Sequence, residues 1–280
     1  MEMEIIENKS FDQERALYEQ NELLLKNCRF EGAADGESAI KECKKIAVEE
    51  CFFDLRYPFW HVDELEISSS EMTENCRAAL WYSRKISISG TKMHGIKALR
   101  ECNDIEIKDC DIISPEFGWS TKNIRMEDTS AKSEYFMMRA ENIEFCKVDF
   151  SGKYSFQYIK NAVFDNCRFD TKDAFWHAEN VTVKNSEVKG EYLAWYSDGL
   201  TLENCVIIGT QPLCYCKSLR LINCEMHGTD LAFEKSEVNA TVTTPVLSIK
   251  NPLSGIIRVP KVGEIIRSDD RYKGEIEITD

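Results

Sequence analysis

Short runs of alternating apolar and polar residues recur along the chain in one form: apolar-x-apolar-x-x-small-x-apolar. Ile105-Ile107-Cys110-Ile112, Val181-Val183-Ser186-Val188 and Leu219-Leu221-Cys224-Met226 are examples. A period of two predicts β-strands, not helices. The small position is held in turn by Cys28, Cys51, Ser70, Thr91, Cys110, Thr129, Val148, Cys167, Ser186, Cys205 and Cys224. From Thr91 onward these residues are 19 apart, seven times in succession, after earlier gaps of 23, 19 and 21. A fixed period sustained this long is the signature of a solenoid.

Turn residues fall in the same register. Asn123, Asn142, Asn161, Asn180 and Gly199 form one column just before the apolar pair, the place for a repeated left-handed corner. Gly95, Gly152, Gly190, Gly209 and Gly228 form a second. Asn27, Asn166, Asn185, Asn204 and Asn223 form a third, whose amides are suited to a hydrogen-bonded ladder. Short strands joined by tight corners predict an all-β fold, a parallel β-helix of about 11–12 coils of about 19 residues. A leucine-rich repeat shares the L-x-L-x-x-N/C-x-L rung, but its usual period is longer and the rest of each coil here carries Trp, Tyr and Phe. A left-handed hexapeptide helix fails because no period of six appears. The expected layout is one domain over 1–280, with a cap at 1–22, coils at 23–240 and terminal strands at 241–280. Ser10–Tyr18 reads as a short helical cap, and the segment around Ser268–Asp270 as a closing β-hairpin.

Composition narrows the function classes. A net charge of −14 repels phosphate backbones, so nucleic acid is not an expected partner. No apolar run is long enough to span a bilayer, and "MEMEIIENKS" has neither the basic nor the apolar region of a secretory signal. The expectation is a cytoplasmic protein with no membrane contact, whose 12 cysteines are reduced, small core side chains. There is no C-x-x-C pair, and Cys214-Tyr215-Cys216 is an isolated C-x-C, so no metal and no cofactor is expected.

The rungs, with "ADGESAIKE", "LRYPFWH", "ALWYS", "GIKALREC", "SPEFGWS", "KYSFQYI", "DAFWH" and "TQPLCYC", resemble a bacterial family, domain of unknown function 3737. The resemblance covers nearly the whole chain. It implies a right-handed β-helix related in shape to the pectin-lyase-like superfamily, in a cytosolic setting, and supplies no catalytic residues. Some relatives carry a hydrogenase label, which the cysteine spacings here do not support.

The register also gathers the aromatic residues. All five tryptophans, Trp60, Trp81, Trp119, Trp176 and Trp195, share one column with Arg100, Met138, Gln157, Cys214 and Phe233. The next column holds His61, Tyr82, Glu101, Ser120, Arg139, Tyr158, His177, Tyr196, Tyr215 and Glu234, nearly all polar or amphipathic, and is expected to face solvent. Three residues before the tryptophans come Tyr57, Tyr154, Asp173 and Tyr192 among others. The tryptophans are either filler at a wide corner or part of an exposed strip. An exposed strip suits an oligosaccharide or other sugar-containing ligand, with His61, Trp81, Tyr82, Trp119, Tyr154, Tyr158, Trp176, Trp195, Tyr196 and Tyr215 as candidate binding residues.

Were the protein an enzyme, His177 with Asp173 would supply proton transfer, Arg100 and Arg139 would stabilise a developing anion, and Glu101 would be a second carboxylate, as in a polysaccharide lyase or glycoside hydrolase. His94 and His227 fall in another column and read as bystanders. The alternative is a non-catalytic scaffold or partner-binding solenoid, with the acidic surface as a possible nucleic-acid mimic. Oligomeric state is not legible in the sequence.

Overall fold

The computed structural model describes residues 3–33 and 36–279, and among these no helix occurs. Ala34 and Asp35 of the "ADGESAIKE" phrase lie outside the described residues. The protein is an all-β parallel β-solenoid of about 19-residue coils, and the chain divides into two compact units, residues 1–141 and 142–280.

In the first unit the strands Asn21–Lys26, Lys44–Glu49, Asp63–Ser68, Arg84–Ser89, Asn103–Lys108 and Lys122–Ser133 pair in parallel, each with the next. Their register sets Leu23, Ile46, Leu65, Ile86, Ile105 and Ile124 over one another, every one at most 2% exposed. In the second unit the same pairing stacks Phe164, Val183, Leu202 and Leu221, again buried. Inward phenylalanines complete the core: Phe30 and Phe53 stack at 4.7 Å in the first unit, Phe156 and Phe175 at 5.0 Å in the second. The apolar alternation thus becomes continuous buried rows, which is what drives the stacking of coils.

The small inward position does more than save space. The backbone N–H of Cys51 donates to Ser70 Oγ at 3.0 Å, that of Cys110 to Thr129 Oγ1 at 3.3 Å, and that of Cys167 to Ser186 Oγ at 2.9 Å. Each side chain in turn donates to the carbonyl two residues back, as Cys51 Sγ to Glu49 O and Ser70 Oγ to Ser68 O. A tight corner leaves a backbone N–H turned into the core, and at these rungs a small side chain that both donates and accepts satisfies it.

The corner columns take the left-handed conformation: φ is 55° at Asn123, 58° at Asn142, 55° at Asn161, 53° at Asn180 and 71° at Gly199. Amide ladders run along them, with Asn180 donating to Asn161 at 2.8 Å and, in the third column, Asn223 to Asn204 at 2.9 Å. Gly190 and Gly209 have φ of 156° and 136°, and a Cβ on them would lie 1.7 Å from Thr171 O and 2.2 Å from Gly190 O respectively. Opposite charges face each other one coil apart on the outside, as in Lys122–Glu141, Lys160–Glu179 and Lys172–Glu191. Such exposed pairs are screened by solvent and add little each to stability.

Both expected caps are corrected. Ser10–Phe11 is a strand paired in parallel with Arg29–Phe30, and the N–H groups of Arg15, Leu17 and Glu19 donate to the carbonyls of Glu37, Ala39 and Lys41 in the next coil. Those inter-coil bonds replace the i to i−4 bonds a helix would need. At the other end Val246–Lys250 pairs in parallel with Val262–Ile266, and Ser254–Val259 with Glu275–Ile278, so the terminal strands are further coils and not a hairpin. The described residues accordingly make about 14 turns, beyond the 11–12 expected for 23–240.

Candidate functional site

The tryptophan column is a set of staples. Each indole is half-buried and its Nε1–H donates to a backbone carbonyl of the following coil: Trp60 to Ala78 at 2.8 Å, Trp81 to Lys97 at 2.6 Å, Trp119 to Tyr135 at 3.2 Å, Trp176 to Tyr192 at 2.7 Å and Trp195 to Gln211 at 2.8 Å. Gln157 stands in the same column and its amide makes the equivalent bond to Asp173 O at 3.0 Å. A glutamine among tryptophans is explained by the shared donor. The indoles also lie flat on one another, Trp60 on Trp81 at 5.3 Å and 2°, Trp176 on Trp195 at 5.4 Å and 4°. Arg100 fills the gap between Trp81 and Trp119, its guanidinium 5.1 and 5.4 Å from the two rings, an arrangement stabilised by cation–π attraction. Neither the faces nor the N–H groups of these stacked tryptophans are open to a ligand.

The neighbouring column is exposed and forms a ladder of rings. In the second unit Tyr158, His177, Tyr196 and Tyr215 stack at 4.9, 5.1 and 4.8 Å with interplanar angles of 6°, 8° and 11°. Lys235 Nζ lies 5.7 Å over the far face of Tyr215, whose phenol is shifted upward by burial and the nearby Glu234 carboxylate. Tyr158 and Tyr196 are 45% and 48% exposed. In the first unit His61 stacks on Tyr82 at 5.0 Å, while Glu101 and Arg139 of the same column are exposed. All these residues sit at left-handed corners, from 52° at Glu101 to 61° at Tyr196 and Tyr215. Each corner turns the side chain out of the coil, and the coil pitch then sets ring upon ring. Face-to-face contact hides the ring faces and presents their edges, so a sugar cannot lie flat on the middle rungs. What faces solvent is a row of phenol and imidazole edges, one per coil.

The candidate catalytic groups do not converge. His177 is held between Tyr158 and Tyr196, and among the described residues no hydrogen bond or ion pair joins it to Asp173. Asp173 is only 8% exposed, with its carboxyl raised above the ordinary range by burial, Lys172 drawing it down and Glu191 pushing it up. Arg100 is engaged by two indoles and stands 3.8 Å from Glu101. No group of three or more His, Cys, Asp or Glu residues is placed to hold a metal among the described residues.

One hydrogen-bonded cluster escaped the sequence reading: His94 Nε2 lies 2.7 Å from Asp111 Oδ2, and Ser130 Oγ donates to Asp111 Oδ1 at 3.0 Å. The carboxylate is central, so the serine has no base beside it, unlike a Ser-His-Asp array. Most of the thiols are also withdrawn from reaction. All 12 cysteines are free and 11 are buried; burial pushes Cys43, Cys51, Cys167 and Cys216 up to about 11 and Cys76, Cys102 and Cys214 to about 12. No helix among the described residues is long and apolar enough to cross a membrane.

Comparison with solved structures finds other β-solenoids at low identity. The surface adhesin PfbA of Streptococcus pneumoniae is 11% identical, with 94% of this chain and 75% of the adhesin covered and a TM-score of 0.37. The A-module of the mannuronan C-5 epimerase AlgE4 of Azotobacter vinelandii is 7% identical over 99% and 91%, TM-score 0.39. DFA-IIIase of Arthrobacter chlorophenolicus A6, solved in complex with GF2, is 8% identical over 86% and 83%, TM-score 0.39. The likeness is too loose to transfer any residue's role. No protein of curated function matches the chain in sequence. Over residues 4–279 the sequence matches the family described as "Protein of unknown function (DUF3737)", and the chain belongs to that family.

Proposed function

We propose that the protein is a non-catalytic carbohydrate-binding β-helix that holds an oligosaccharide against the exposed ring ladder of its second unit. The observation that carries this reading is the ladder itself: Tyr158, His177, Tyr196 and Tyr215 at intervals of about 5 Å, edges outward. Phenol O–H and imidazole nitrogen both donate and accept, as sugar hydroxyls do, and a fixed row of them suits an extended polyhydroxyl chain running along the coil axis. Rigid tyrosines also lose little conformational entropy on binding. Among the described residues no carboxylate is hydrogen-bonded or ion-paired to His177, which favours binding over turnover. The many buried free thiols fit a reducing compartment, and a cytoplasmic location is part of the same proposal.

The reading is tested by titrating the protein with a panel of soluble oligosaccharides, followed by calorimetry and by tyrosine fluorescence. Saturable binding of at least one, accompanied by a change in ladder fluorescence, is the expected result. Heatless titrations across the panel, or binding that His177→Ala and Tyr196→Ala leave intact, would refute it.

A further inference from the structure

The spacing of the ring ladder is fixed by the backbone beneath it. The N–H of Tyr158 donates to Trp176 O at 2.8 Å, that of His177 to Trp195 O at 3.0 Å, that of Tyr196 to Cys214 O at 3.2 Å and that of Tyr215 to Glu234 O at 2.7 Å. Each ladder residue is thus bonded to the coil after its own, at a left-handed corner with φ between 53° and 61°. The rings follow at 4.9, 5.1 and 4.8 Å. Packing on both faces holds His177 and Tyr196 in line.

Exposure along the ladder is graded. Tyr158, His177 and Tyr196 are exposed, whereas Tyr215 is half-buried. Beyond Tyr215 the row of rings ends, because Lys235 Nζ stands over its far face at 5.7 Å. The second unit therefore offers four rungs, Tyr158, His177, Tyr196 and Tyr215, at one step that side-chain motion cannot stretch.

A ligand that meets every rung has to run straight and repeat at that step. Pyranoses joined equatorially, both at the anomeric carbon and at the carbon opposite it, do so. Both bonds lie near the mean plane of the ring, so the chain extends, and each unit advances by nearly the coil pitch of about 4.8 Å. An axial anomeric bond instead turns each unit on the last, and the chain curls away from the row. In the extended chain alternate units are flipped, so successive rungs meet opposite edges of the sugar. Phenol and imidazole both donate and accept, and so serve either edge.

We infer that the ladder selects β-1,4-linked pyranose chains, as in cello- and xylo-oligosaccharides, with one sugar unit to each rung. This rests on the carbohydrate reading above and narrows it to one linkage geometry. Each unit seated adds about one net hydrogen bond, a roughly fivefold gain in affinity, until the rungs are filled.

The experiment titrates the wild-type protein by calorimetry with cello-, xylo-, malto- and laminari-oligosaccharides, each from dimer to hexamer, the last two having linkages that curl the chain. In the cello or xylo series affinity is expected to climb roughly fivefold per unit from dimer to tetramer and then to level off. Malto- and laminari-tetramers are expected to bind at least roughly tenfold more weakly. Equal affinity for a curled and an extended tetramer, or affinity already level at the dimer, overturns the inference and leaves the carbohydrate reading intact. Silence in all four series also overturns it, and only silence across the whole oligosaccharide panel overturns the carbohydrate reading as well.

Discussion

Trp176→Phe isolates the staple from the stack. The phenyl ring keeps its place on Trp195, 5.4 Å away, but the donor that reaches Tyr192 O at 2.7 Å is gone. Losing that bond costs about 1 kcal/mol, the net value of one hydrogen bond in a folded protein. Trimming the indole to a phenyl removes roughly 40 Å² of covered apolar surface, about 1 kcal/mol more at ~25 cal/mol/Å². The expected loss is thus about 2 kcal/mol. Gln157 supplies the controls. Gln157→Leu removes only the bond to Asp173 O and is expected to lose about 1 kcal/mol. Gln157→Trp keeps a donor, adds a ring against Trp176 and is expected to gain about 0.5–1.5 kcal/mol. The four proteins are compared by urea unfolding with a common m-value, monitored by circular dichroism. The reasoning predicts the order Gln157→Trp, wild type, Gln157→Leu, Trp176→Phe from most to least stable. It is refuted if Gln157→Leu matches wild type, or if Trp176→Gln is no more stable than Trp176→Leu, since either result would mean the donor is irrelevant.

Three further outcomes follow from the interior. Thr229 Oγ1 is buried without a hydrogen-bond partner among the described residues, so Thr229→Val should leave the urea midpoint unchanged or raise it; a drop of more than about 1 kcal/mol would contradict this. Gly190→Ala, which drives a methyl into the carbonyl of Thr171, should destabilise by at least about 3 kcal/mol or abolish soluble expression, whereas Gly228→Ala, with no atom within 4 Å of its added Cβ, should be much milder even at φ 62°. Buried thiols held at about 11 to 12 stay neutral while their unfolded counterparts ionise near 9.0, so their contribution to stability is complete below pH 9 and lost as pH climbs toward 12. Alkaline unfolding in that window, with native thiol labelling confined to the half-buried Cys146, is the expected observation; rapid labelling of several cysteines at pH 8 would contradict it.

The solenoid was legible because a 19-residue register is an exact spacing, and one wrong residue would have thrown every apolar row to the surface. Legibility ended where the spacing changed. Val246 pairs with Val262, 16 residues on, and Val238 with Gly255, 17 on, so a search in steps of 19 passes over coils that the structure plainly contains. Ser10–Tyr18 misled for a different reason: a polar residue such as Ser10 ahead of Leu17 reads as a helix N-cap, yet the N–H groups of Arg15 and Leu17 are claimed by the next coil. The aromatic columns were found correctly as columns, with Tyr82, Tyr158 and Tyr196 outward. Their meaning was not fixed by position. Stacking at the coil pitch hides ring faces, and the indole-to-carbonyl bonds depend on side-chain reach that no letter pattern encodes. Gln157 among the tryptophans was the one available hint of a shared donor. The isolation of Asp173 from His177 likewise depends on where each corner aims its side chain.

The central claim is that the outward edges of the ring ladder, not its mere presence, bind a sugar chain. The direct measurement is the affinity of Tyr158→Phe/Tyr196→Phe for the oligosaccharide that wild type binds best, since phenylalanine keeps both stacks and removes only the two hydroxyls. The account predicts an unchanged Tm and a loss of roughly tenfold or more in affinity, the effect of two net hydrogen bonds. Wild-type affinity in that double variant would contradict it.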